Sequence, residues 1–297
     1  MNEVSIERNK SMFRLMLSLC VFCALQILAP AGALSEELEI VNRPVNVSGL
    51  TGLLFTTSPY TLAPGTVEFG ASILSESSAI PDYTMTEFPL TVSFGLTGNS
   101  EIAFRGSYFQ IKEGPTDTSG VVDRKTGDLE IAYKWNFLPQ TEPSTRPAAA
   151  LIVAGIFPTE KNQDLTINAV AHWGMRLGLS TGTEINWKDH ILGMYADAQV
   201  KGQDLTEKRL RDIYELFNAG LLFPISKYRN LQMFIEYSLV HGRDIITLDG
   251  GDYSGLTYGI RLVGERFNLT IGTQFLHKQY AGYDNTDRMI GLMSIKF

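Results

Sequence analysis

From Thr66 onward the chain repeats one pattern: runs of about 9 to 12 residues in which apolar and polar side chains alternate, separated by turn-forming residues. A period of two places successive side chains on opposite faces of an extended strand, and a helix built on it would have no apolar side. The clearest run is Leu129 to Phe137, where Leu129, Ile131, Tyr133, Trp135 and Phe137 share one face and Glu130, Ala132, Lys134 and Asn136 the other. The same rule holds for Leu90 to Thr97, Leu231 to Leu239 and Phe267 to Phe275. Two runs fit less well: Ala148 to Phe157 is apolar on both faces, and the phase of Tyr214 to Phe223 is ambiguous. Twelve such runs can be counted.

The connections alternate in length. Tight turns are expected at Gly98-Asn99-Ser100, Trp187 to His190, Ile225 to Arg229 and Gly264 to Arg266. Longer loops are expected at Ser77 to Glu87, Ile111 to Gly127, Pro158 to Asn168, Lys201 to Asp212, His241 to Tyr253 and Lys278 to Thr286. Short turns at one rim and long loops at the other describe a transmembrane β-barrel. A soluble sandwich also alternates, but its outer faces are rich in Lys, Glu and Thr. Here the polar faces carry Gly, Ser, Thr and single charges, and the apolar faces carry aromatics towards strand ends, as a lipid interface requires. In hydrocarbon every backbone polar group needs an internal partner, and a sheet provides this only by closing on itself. The expected fold is therefore all-β: a closed antiparallel transmembrane β-barrel of about twelve strands over residues 66–297.

Residues 1–33 differ in kind. Arg8, Lys10 and Arg14 precede an uncharged stretch from Leu15 to Ala29, and Ala31-Gly32-Ala33 supplies small residues for cleavage, so a signal peptide and bacterial outer-membrane localisation are expected. Both cysteines, Cys20 and Cys23, fall inside it, so the exported chain needs no disulfide. What remains has 22 basic and 30 acidic side chains, a balance that argues against nucleic acid as a partner. Residues 34–65 are either a periplasmic leader, the simpler expectation, or a segment folded into the lumen.

Two resemblances add to this reading. Met289, Gly291, Met293, Ile295 and Phe297 form one face of a last strand ending on an aromatic, which resembles the terminal strand of bacterial outer-membrane proteins. That likeness implies recognition of Met293, Ile295 and Phe297 by the barrel-assembly machinery, with outer-membrane lipid as the surrounding partner. Ser48 to Thr66, with its Gly-Leu start, Pro-containing centre and Pro-Gly-Thr end, resembles the opening segment of YjbH-like outer-membrane proteins.

Opposite the lipid face, Glu68, Glu101, Arg105, Glu130, Lys134, Arg176, Asp197, Glu236 and Arg261 should point inward, together with Arg288 and Lys296. Buried charges are costly unless paired or solvated. Such a lumen is either a water-filled channel for small hydrophilic solutes, with these residues as pore-lining candidates, or an ion-paired interior that only holds the barrel's shape. The expected function is passive passage of such solutes; a structural, export or assembly barrel without an open pore is the alternative, and an outer-membrane hydrolase a third. Outer-membrane phospholipases carry His and Ser two residues apart, but His172, His190, His241 and His277 are followed at that spacing by Gly174, Leu192, Arg243 and Gln279. Asp244, Asp249 and Asp252 near His241 could mimic a protease rim, yet acidic loops are usually only solvated. No enzymatic activity, no metal and no cofactor are expected. Asn46-Val47-Ser48 and Asn268-Leu269-Thr270 match a glycosylation sequon by chance.

Overall fold

The computed structural model describes residues 43–79, 82–113, 122–140, 146–157, 159, 173–187, 190–203, 212–225, 230–243, 252–278 and 285–297. The expected signal peptide, most of the long loops, and His172, Asp244, Asp249 and Gln279 lie outside these residues.

All regular elements among the described residues are strands: β1 (Val67–Ala79), β2 (Asp82–Thr97), β3 (Ser100–Glu113), β4 (Val122–Thr126), β5 (Leu129–Leu138), β6 (Ala148–Phe157), β7 (Gly174–Trp187), β8 (His190–Gln203), β9 (Asp212–Pro224), β10 (Leu231–Arg243), β11 (Tyr253–Val263), β12 (Phe267–Lys278) and β13 (Thr286–Lys296). Apart from β4 and β5, which both pair with β3, each pairs antiparallel with its sequence neighbours, and β1 pairs with β13 from Glu68↔Lys296 to Ser77↔Asp287. The sheet thus closes on itself. β4 and β5 are two parts of one stave: β4 pairs the end of β3 (Tyr108↔Thr126 to Lys112↔Val122) and β5 its beginning (Ser100↔Trp135 to Arg105↔Glu130). Gly127 and Asp128 separate them, a bulge that lets Gly127 N–H donate to the Ser107 carbonyl at 2.7 Å. The chain is a closed antiparallel barrel of twelve staves.

Two expected loops are shorter than the spacing suggested. Ser77 to Glu87 is mostly strand, because β1 continues to Ala79 and β2 begins at Asp82. Ile111 to Gly127 likewise contains the end of β3 and all of β4. Polar residues such as Ser75, Ser77, Thr84 and Thr86 hide these extensions from a pattern search, but they pair across the ladder, Ser75↔Thr86 and Ser77↔Thr84.

The alternation sorts side chains as the period requires. In β12, Phe267, Ile271 and Phe275 are 43–49% exposed while Asn268, Thr270 and Gln274 are buried. Outward aromatics gather at both rims: Phe69 packs edge-on against Phe297 and Trp135 lies beside Phe137 at the short-turn rim, whereas Phe157 packs edge-on against Trp173 at the rim of long connections. Such belts suit the polar boundaries of a bilayer.

A charge on the outward face should cost stability by depth. Ile271→Arg, at mid-strand, is expected to lower unfolding free energy in lipid vesicles by about 2–4 kcal/mol, and Phe267→Arg, next to a turn, by no more than about 1 kcal/mol. Denaturant titration of the refolded variants measures both; equal costs at the two sites would contradict a lipid-facing surface.

Candidate functional site: a segment held in the lumen

Residues 43–65, which precede β1, lie against the inner wall of the barrel. Val45, Leu50, Leu53, Leu54, Tyr60 and Leu62 are all buried. Their path is set locally by two tight turns. In the first, the Asn46 side-chain oxygen accepts from Ser48 N–H at 2.9 Å, Gly49 N–H donates to the Asn46 carbonyl at 2.9 Å, and Gly49 takes a φ of 85° that only glycine adopts without cost. In the second, Leu53 N–H donates to the Thr56 carbonyl at 2.9 Å, and a β-carbon on Gly52 would stand 2.2 Å from that same oxygen. The segment then leaves the lumen through Gly65 and Thr66, which exchange hydrogen bonds with Gly95 on β2.

The wall holds this segment mainly through carboxylates that accept from its backbone. Glu236 on β10 receives N–H groups from Leu54 at 3.1 Å, Phe55 at 3.1 Å and Thr56 at 2.7 Å. Asp197 on β8 accepts from Thr57 N–H at 2.7 Å, and its other oxygen from Gln199 and Asn218. Glu101 on β3 accepts from Thr51 N–H at 2.9 Å and Leu62 N–H at 2.8 Å, and pairs with Lys134 at 2.8 Å. Lys134, fully buried, also donates to Thr51 Oγ1 at 2.5 Å and the Ser58 carbonyl at 3.0 Å. Glu68 accepts from Val45 N–H at 3.3 Å, Asn268 and Ser294. Arg261 donates to the Gly52 carbonyl at 3.0 Å and Arg105 to the Val47 carbonyl at 3.1 Å. Arg43 forms a two-pronged pair with Glu184 at 2.8 and 2.9 Å and lies over the Tyr60 ring. Charge-assisted bonds of this kind are each worth about 1.5–3 kcal/mol.

Apolar contacts complete the fit. Leu53 and Leu54 share a buried cluster with Leu222, Phe234, Ile290 and Leu292 of the wall, and Leu50 shares a second one with Ala103, Ala132, Ile152 and Ala154. Inward glycines leave the room: a β-carbon on Gly220 would stand 2.4 Å from Leu53 Cδ1. The double-sided apolarity of β6 has its cause here, since its inward Ile152 and Ala154 face Leu50 instead of water.

Of the nine pore-lining candidates, Glu68, Glu101, Arg105, Lys134, Asp197, Glu236 and Arg261 therefore bond residues 45–62. Glu130 and Arg176 pair with each other, and Arg176 also donates to Gln199 at 2.8 Å. They belong to a second group, nearer the rim of long connections. There Glu76 binds Lys278 at 2.6 Å and Arg288 at 2.7 Å, and Glu87 pairs with Arg105. Glu76, Glu87 and Glu184 were absent from the expected set. Carrying the parity of β1 and β7 a few residues further would have found Glu76 and Glu184, whereas Glu87 fell in an expected loop. Met293, Ile295 and Phe297 are outward and exposed.

No protein-family model matches the chain, and no curated protein does. Among solved structures it is similar to an outer membrane channel from Pseudomonas putida F1, with a TM-score of 0.63 and 11% identity over 80% of this chain and 98% of that one. It is also similar to LpxR from Salmonella typhimurium, with a TM-score of 0.51 and 12% identity over 78% and 99%. At such identities the likeness is one of fold, and neither structure bears on the resemblance of Ser48 to Thr66 to YjbH-like proteins. The chain has the architecture of bacterial outer-membrane β-barrels.

Lys134→Met strands Glu101 without its cation in a dry site and is expected to cost about 3–5 kcal/mol. The same substitution in a barrel lacking residues 44–62 should cost less than about 1 kcal/mol, because water then solvates Glu101. Denaturant unfolding of the four proteins measures this coupling; an equal cost in both backgrounds would show that the pair does not depend on the segment.

Proposed function

We propose that this chain is an outer-membrane channel for small hydrophilic solutes whose bore is closed, in the state described, by residues 43–65. The observation that carries the reading is how the segment is held. Apart from two terminal bonds to Gly95, its hydrogen bonds to the wall among the described residues each involve a side chain, and the rest of its hold is apolar contact, not a strand ladder. An occupant bound that way can shift without opening the sheet, whereas a strand added to the wall could not.

The remaining part of the lumen supports the same reading. Beyond the segment, Glu76, Glu87 and Glu130 face Arg105, Arg176, Lys278 and Arg288 as ion pairs. Acidic and basic groups facing one bore set a field across the path of a solute, as channel linings do. The competing reading, a barrel that never opens, draws on the same closure by the segment, so the two diverge only once the segment is released.

Planar-bilayer recording separates them. The full chain is expected to show rare or small openings, Glu236→Gln more frequent ones, and deletion of residues 44–62 a steady conductance several-fold larger. Arg176→Glu in the deleted background should shift ion selectivity towards cations. A deleted barrel that is folded yet does not conduct would overturn the channel and favour the closed structural barrel.

A further inference from the structure

The outward surface near the rim of long connections carries a second constellation. Ser254 on β11 and His277 on β12 are direct cross-strand partners, and His277 Nδ1 lies 2.7 Å from Oδ1 of Asn285, which precedes β13. Parity sets all three on the lipid side: Ser254 shares a face with the exposed Leu256 and Tyr258, His277 with Phe275, and Asn285 with Met289. The three side chains form one row across three adjacent strands, with the imidazole in the middle.

The chemistry of the row is set by its order. An amide oxygen can only accept, so His277 Nδ1 is the donor in that bond, and Nε2 is the ring nitrogen left to act as a base in the neutral tautomer. With Nδ1 turned towards β13, Nε2 lies on the side of β11, where Ser254 stands. Direct partners on adjacent strands have β-carbons about 4.5–5.5 Å apart, which sets the Ser254 hydroxyl and the His277 ring side by side on the outward face. A hydroxyl, a base and a group that orients the base make up the nucleophilic triad, which is recognised by geometry and not by sequence spacing.

We propose that Ser254, His277 and Asn285 form an acyl-transfer site that hydrolyses ester-linked acyl chains of membrane lipid. The outward position, just beyond the apolar band of Leu256, Tyr258 and Phe275, puts the row where lipid ester groups lie. Ser254 Oγ bonds to the ester carbonyl carbon while His277 Nε2 takes its proton and passes it to the departing alcohol oxygen as the ester C–O bond breaks. Water then attacks the acyl-serine, gives its proton to Nε2, and releases the fatty acid as Ser254 recovers its hydroxyl. Asn285 bonds His277 and is a positioning residue.

The test uses the full chain refolded in phosphatidylethanolamine and phosphatidylglycerol vesicles, with heat-modifiable gel migration to show that each variant is folded. A fluorophosphonate probe should label the wild type. Ser254→Ala should abolish labelling, and His277→Ala should slow it by at least about 100-fold, as loss of a general base does. Asn285→Asp, which retains an acceptor, should keep more labelling than Asn285→Ala. Fatty acid released from the vesicles should rank the variants in the same order. Wild-type labelling no faster than that of Ser254→Ala, labelling indifferent to His277→Ala, or a labelled chain that releases no fatty acid would each overturn the proposal.

Discussion

The structure depends on what a carboxylate requires once it faces the inside of a closed sheet. Glu68, Glu101, Asp197 and Glu236 are buried, and a buried carboxylate without donors would cost more than the barrel could sustain. The donors come largely from backbone N–H groups of one short peptide, at Val45, Thr51, Leu54, Phe55, Thr56, Thr57 and Leu62. The dependence is mutual. A peptide in the lumen has its own amides to satisfy, and its two tight turns leave those amides free to meet the wall.

Closure of the sheet makes this exchange possible. β1 completes the ring by pairing with β13, so residues just before β1 begin at the mouth of the lumen, and Gly65 and Thr66 clamp onto Gly95 at that point. The same closure gives the lumen two regions of different character. Towards the short turns it resembles the core of a soluble protein, with Leu53 and Leu54 among Leu222, Phe234 and Leu292. Towards the long connections it is lined by ion pairs centred on Glu76, Glu87 and Glu130. An ion-paired lining and a segment held by wall side chains thus occupy successive levels of one lumen.

Much of this was legible in the sequence because a period of two is a local signal. Strand faces, the twelve staves and the inward set from Glu68 to Arg261 all derive from parity. The lumen segment does not, since its residues have no periodicity and its hydrogen-bond partners lie up to 209 positions away, as Gly52 and Arg261 do. Its trace was present as exceptions to the alternation: the double-sided apolarity of β6 and Phe234 on a polar face. Those residues are apolar because the segment, not water, faces them. Ser254, His277 and Asn285 were equally hidden. A search for His and Ser two residues apart on one strand cannot see a pair created by register between two strands.

Hydrogen exchange at the backbone amides of Leu54, Phe55, Thr56 and Thr57 in the refolded, membrane-inserted chain tests the central claim most directly, because these N–H groups have Glu236 and Asp197 as acceptors. They are expected to exchange as slowly as amides of the β10 ladder, and to lose protection when Glu236 is replaced by Ala while β10 keeps its own. Exchange at the rate of an unstructured peptide in the unmodified protein would show that the segment is not held in the lumen.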